Sequence, residues 1–135
     1  MTIAIDIRPL QERGGGVVEY TRNVVYSLLR MDSKNQYVLF FNAYHHVPTI
    51  DISGFSNVSM VALRYPNKLF NLSLKFLSKP TLDTLIERSI GRRVDIFFAP
   101  NLNFFAFSSA VKKVLTVHDV SFDLYPEFLT LKQRL

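Results

Sequence analysis

The feature that most restricts the fold of this 135-residue chain is an alternation: short runs rich in β-branched and aromatic residues take turns with longer stretches of helical period. Parallel strands can be joined only by a crossover long enough to traverse the sheet, so strand and helix patterns in turn predict a parallel sheet covered by helices. Thr2 to Ile7 reads as an opening strand, and Arg8 to Gly16 as a polar loop ending in glycines. From Val17 to Met31 the apolar residues Val17, Tyr20, Val24, Leu28 and Met31 recur at helical spacing, leaving Glu19, Arg22 and Arg30 for water. Gln36 to Asn42, Val58 to Leu63, Val94 to Ala99 and Lys113 to Val117 supply four further strands. Between the third and fourth, Asn67 to Leu77 is apolar with basic interruptions and Pro80 breaks the pattern. Thr81 then caps a helix from Leu82 to Ile90, which Gly91 stops. The expectation is one α/β domain over residues 1–135, a mostly parallel sheet with helices on both faces.

Composition agrees with one folded unit. A hydrophobic fraction of 48% against 20% charged residues supplies enough apolar surface to offset chain entropy. The absence of cysteine removes disulfides, thiolate metal sites and cysteine nucleophiles together, and fits a reducing compartment, with cytoplasm the default. No basic leader followed by an apolar run is visible, and no stretch of about 18 apolar residues occurs. The net charge of +5, from 16 basic and 11 acidic residues, favours anionic partners.

Open α/β sheets take ligands beyond the carboxyl ends of their strands, which singles out three loops. Gly14, Gly15 and Gly16 lie ahead of the first helix, where bare backbone lets an anion reach the N–H groups at the positive helix end. A plain flexible turn is the alternative. Pro100, Asn101, Leu102 and Asn103 follow the fourth strand, and their amides can both donate to and accept from sugar hydroxyls, or simply stabilise a turn. His118 and Asp119 follow the fifth apolar run. They are placed either to bond a substrate hydroxyl and stabilise developing charge or, as a structural pair, to let Asp119 cap a turn. His45 and His46 have no partner at metal-ligand spacing and read as solvated.

Several classes drop out. Val17 and Val18 stand where a dinucleotide fingerprint needs a further glycine, and Glu19 and Tyr20 where an ATP-binding loop needs lysine and a hydroxyl residue. Motifs of serine hydrolases, zinc peptidases and calcium loops are missing, and the dispersed positive charge lacks any nucleic-acid-binding signature. One stretch stays open. Residues 64–79 combine Arg64, Lys68, Lys75 and Lys79 with six Leu and Phe residues and no acid, which suits either an anionic membrane surface or a helix buried on the sheet with lysines reaching outward.

Taken together, three segments resemble the N-terminal domain of family 4 glycosyltransferases, retaining enzymes of the GT-B type. They are Ile5-Asp6-Ile7-Arg8-Pro9-Leu10, Gly15-Gly16-Val17-Val18-Glu19-Tyr20-Thr21-Arg22-Asn23, and Thr116-Val117-His118-Asp119-Val120-Ser121-Phe122 with Tyr125-Pro126-Glu127. Asp95 to Asn101 also looks like the family's segment before the His-Asp strand. The resemblance implies a Rossmann-like domain that binds a sugar or lipid-linked acceptor while a second domain grips a nucleotide-sugar donor. It implies that Gly15 and Gly16 approach the donor diphosphate, that His118 meets the transferred sugar near its anomeric centre beside Asp119, and that Asn101 shapes the pocket. Val18 stands where the family often has another glycine. No metal and no cofactor is implied. Because no counterpart of the donor-binding domain lies within 135 residues, the expectation is a chain that stops before it, is inactive alone, and needs a separate C-terminal domain. A non-catalytic module on the same fold, attached to a membrane or a protein, is the alternative.

Overall fold

The computed structural model describes residues 1–43, 47–103 and 105–120; His45, His46 and the segments Ser121-Phe122 and Tyr125-Pro126-Glu127 lie outside the described residues. Its elements are β1 (Thr2–Asp6), a 3₁₀ turn (Arg8–Gln11), α1 (Gly16–Met31), β2 (Gln36–Asn42), β3 (Val58–Leu63), α2 (Asn67–Phe76), α3 (Leu82–Ile90), β4 (Ile96–Ala99) and β5 (Lys112–Leu115). The five strands form one sheet in the order β3-β2-β1-β4-β5, every neighbouring pair parallel. The α/β expectation is met.

Alternate residues of the central strands feed two cores. On one face Ala4, Val38, Phe40 and Phe97 pack with Leu82, Leu85 and Ile86 of α3 and with Phe70 and Leu74 of α2. On the other, Ile5, Ile7, Leu39 and Phe41 pack with Val18, Val25 and Leu29 of α1. Strands covered on both sides need almost continuous apolar sequence, which explains the unbroken run Tyr37 to Phe41. Each large side chain fully buried here contributes about 1.5 to 3 kcal/mol.

The core stripe of α1 is rotated by one residue from the expected one. Val18, Thr21, Val25 and Leu29 are buried, whereas Tyr20 is 37% and Met31 86% exposed. Val24-Val25 and Leu28-Leu29 are adjacent apolar pairs, so hydrophobic period alone admits both registers; the start of the helix at Gly16 decides between them. One consequence is a fully buried Thr21 whose hydroxyl has no hydrogen-bond partner among the described residues.

Several boundaries also move. β1 ends at Asp6, one residue before the expected Ile7, because the chain folds at once into the 3₁₀ turn, where a loop was expected. β4 starts at Ile96, with Val94 still buried and its N–H held by Glu87 Oε1 at 2.8 Å. β5 begins one residue early and ends at Leu115, two residues before Val117. Thr81 does precede α3, but its hydroxyl pairs with that of Thr84 at 2.7 Å and caps no backbone group. Gly91 ends α3 at φ 67°, as its position predicts.

The link between β4 and β5 is an irregular segment. Phe105 and Phe107 stack on each other at 5.5 Å and meet Phe97 edge-on at 5.9 Å and tilted at 4.6 Å, so aromatic rings cover β4 in place of a helix. Its backbone is tied to α3: Leu82 N–H donates to Ala106 O, and Ser108 N–H donates to Asp83 Oδ1. Burial pushes the Asp83 carboxyl up, yet the bonds from Ser108 and its neighbours outweigh it and leave the group below the ordinary carboxylate value.

Candidate functional site

From β1 the chain steps outward to β2 and β3, and α2 and α3 then return it to β4 on the other side of β1. The strand order therefore reverses between β1 and β4, and the loops leaving their carboxyl ends part there to form a crevice. An open cleft of about 240 Å³ lies at this point. Arg8, Pro9, Gln11 and Glu12 after β1 form one wall, and Asn101 and Asn103 after β4 another. Asn42 at the end of β2, with Asn67 and Asn71 on the first turns of α2, completes it.

Five of the nine lining residues are asparagines, so the cleft presents carboxamides that donate and accept in the same small space. Asn42 is itself structural. It is only 3% exposed, its Nδ2 donates to Tyr65 O at 3.1 Å and to Asn67 Oδ1 at 2.6 Å, and its Oδ1 accepts from Tyr65 N at 3.0 Å. These bonds fasten the start of α2 to the end of β2 and orient the Asn67 carboxamide.

The floor beside β1 is set by a buried ion pair. Arg8 Nη2 lies 2.8 Å from Asp6 Oδ2 and its Nε donates to both carboxylate oxygens, at 2.9 and 3.1 Å. The Arg8 backbone N–H adds a fourth bond to Asp6 Oδ1 at 3.0 Å. The guanidinium sits between the faces of Phe40 and Phe105, at 5.4 and 5.3 Å. Arg8 and Asp6 are both at least nine-tenths buried. The sequence reading left Arg8 in a polar loop; the available signal was a pair of opposite charges two positions apart, Asp6 and Arg8, at the end of an apolar run.

The glycine turn and the late histidine lie on the same rim as the cleft. α1 opens at that rim with Gly15 in the N-cap position at φ 120°, a conformation only glycine adopts without strain, so the cap residue has no side chain to bond the first backbone N–H groups. Side chains added at Gly14, Gly15 or Gly16 would meet no atom within 4 Å, so the turn faces open space. One helical turn on, the Tyr20 ring stands edge-on to the His118 imidazole, with centroids 4.8 Å apart and planes at 85°, and its hydroxyl bonds Thr116 Oγ1 at 3.0 Å. On its other side His118 Nε2 lies 2.7 Å from Pro100 O. A carbonyl only accepts, so Nε2 carries the proton and Nδ1 is the ring nitrogen left for another partner.

His118 is thus joined through Pro100 to Asn101, which lines the cleft, and through Tyr20 to the glycine turn. Gly15, Gly16 and His118 themselves flank the cleft and do not line it. Asp119 follows His118 at the exposed surface. Tyr20, expected in the core, instead links α1 to the imidazole. Arg64, Lys68, Lys75 and Lys79 are all exposed, on or beside α2. Among the described residues no group of three or more His, Asp or Glu could hold a metal ion, and no helix is long and apolar enough to cross a membrane. Compared with known proteins, the chain matches no family model, no curated protein and no solved structure.

Proposed function

We propose that this chain is the acceptor-binding half of a glycosyltransferase that moves a sugar from a nucleotide-sugar to an acceptor, as its resemblance to family 4 enzymes implies. The observation that supports it best is the meeting of the α1 glycine turn and His118 through Tyr20, at the rim where the asparagine cleft opens. Each part suits a step of such chemistry. The open helix start offers backbone donors and a positive dipole end to a diphosphate. Fixed by Pro100, the imidazole directs its remaining nitrogen at a sugar hydroxyl or at charge developing near the anomeric carbon. The carboxamides of Asn67, Asn71, Asn101 and Asn103 match a polyhydroxylated acceptor, whose hydroxyls also donate and accept.

In this reading the acceptor side alone does not complete transfer, because the donor needs a grip that these loops share with a second domain. Titration of the isotope-labelled chain, followed by NMR, tests the division of labour. Simple saccharides shift the signals of the cleft asparagines, and a nucleotide diphosphate shifts Gly15 and Gly16. Robust transfer by the purified chain alone, or saccharides that leave every cleft signal unmoved, would refute the reading.

A further inference from the structure

We propose that the outward face of α2 is a docking surface for an anionic lipid bilayer, a role that stands independently of the sugar chemistry proposed above. The helix turns only Phe70 and Leu74 into the core. Leu69, Leu72 and Phe76, three and four residues apart, form a second apolar stripe on the opposite side, with Leu77 just beyond the last turn. These four are 65%, 54%, 68% and 71% exposed. At about 100° per residue, Lys68 and Lys75 flank that stripe on the side toward Asn67 and Asn71. Arg64 and Lys79 bracket the helix, and residues 64–79 contain no acid.

A water-facing helix keeps polar residues outward, so a stripe of leucine and phenylalanine there needs a cover. Charge identifies the cover. Protein interfaces are depleted in lysine, whereas lysines beside an apolar stripe are what an anionic headgroup layer takes up while the acyl boundary receives the leucines and phenylalanine. The cleft residues Asn67 and Asn71 lie on the side of the helix turned away from that stripe, so docking would leave the cleft open.

The test is sedimentation of the full chain with vesicles of phosphatidylglycerol and phosphatidylcholine, against phosphatidylcholine alone, at rising salt. The chain binds the anionic vesicles, releases as salt rises, and ignores the neutral ones. Each of Lys68→Gln, Lys75→Gln and Lys79→Gln weakens partitioning roughly fivefold, the equivalent of about 1 kcal/mol per basic residue. The chain contains no tryptophan, so Phe76→Trp gives a sole reporter whose emission shifts to the blue on the vesicles. All these positions are exposed, and unchanged circular dichroism of the variants checks that they fold. Absent binding, equal binding to neutral vesicles, full binding by a triple Lys→Gln variant, or lipid-free self-association that Leu72→Ser abolishes would each overturn the proposal, the last by assigning the face to a second copy of the chain.

Discussion

Replacing Arg8 by methionine tests whether the cleft floor is held by charge or by packing. Methionine keeps the unbranched stem between Phe40 and Phe105 but removes the three bonds that the guanidinium makes to Asp6. Asp6 is only 1% exposed and retains the backbone N–H of residue 8 as a donor. Stripping one partner from a buried pair costs about 3 to 5 kcal/mol, since the remaining charge has neither water nor a counterion. A chain of 135 residues has a total stability of about 7 to 20 kcal/mol, so Arg8→Met removes roughly 15 to 70% of it. With a urea slope of about 2 kcal/mol per molar, the unfolding midpoint falls by about 2 M. The double variant Asp6→Leu, Arg8→Met removes both charges and recovers most of that loss, less the two ring contacts at roughly 0.5 to 2 kcal/mol each. A midpoint shift below about 0.5 M for Arg8→Met, or a double variant as unstable as the sum of both singles, would refute the claim that the pair is electrostatically committed.

Other contacts lead to four further outcomes. Bonds from the Asn35 side chain, the Tyr37 hydroxyl and the Lys34 backbone hold the Asp32 carboxyl well below its usual value, and Ser53 does the same for Asp51. With folded-state values depressed, the unfolded chain binds more protons. Stability is therefore flat above about pH 5 and drops as pH falls through the unfolded carboxylate range, and Asp32→Asn flattens the drop in urea midpoints. Burial, then the bond to Asp32, pushes the Tyr37 hydroxyl up to about 12 from 10.0; stability declines above pH 10, and Tyr37→Phe removes that limb. Thr21→Val raises stability by about 1 kcal/mol, measured by thermal and urea unfolding, because it deletes a buried hydroxyl with no partner among the described residues; a loss would show that the hydroxyl is satisfied. Gly15→Ala destabilises by about 1 kcal/mol or more through its positive φ, while Gly16→Ala, inside the helix with open space around it, gains up to about 1 kcal/mol; equal effects would contradict the assigned turn.

The order of elements was legible because the central strands β1 and β2 are buried on both faces, β3 keeps an apolar run beside them, and each helix buries one face, so apolar runs and periods translate directly into type. β2, β3 and α3 fall within the expected residues for that reason. The register of α1 was not legible, since Val24-Val25 and Leu28-Leu29 satisfy either face and only the turn geometry at Gly15 separates them. The double character of α2 was half legible. Its composition allowed either a core helix or a lipid-facing one, and the backbone presents both stripes at once. For the site, loops after strands could be picked out, which yielded Asn101, His118 and the glycine turn. The rest of the cleft depends on strand order. Asn42, Asn67 and Asn71 line it only because β3 and β2 lie on the far side of β1, a fact of topology that no local pattern carries.

Parallel topology also explains why residues as distant as Arg8 and His118 come to one rim. Every strand delivers its carboxyl end to the same edge, and each site residue lies close behind one: Arg8 follows Asp6 by two positions, Asn101 follows Ala99 by two, and His118 follows Leu115 by three. Their relative heights are then fixed by strand pairing, with Ile5 level with Phe98 and Ala99 level with Leu115. A slip of one residue in either ladder would reverse the faces of the whole strand and drive Phe97 or Ile5 out of its own core toward the differently shaped core on the opposite face, so the packing that stabilises the sheet also holds the register of the rim. Only α2 stands outside this scheme, because it joins the cleft through Asn42 and two side chains on its first turns. Its place at the cleft therefore rests on the Asn42–Asn67 bond and not on strand register.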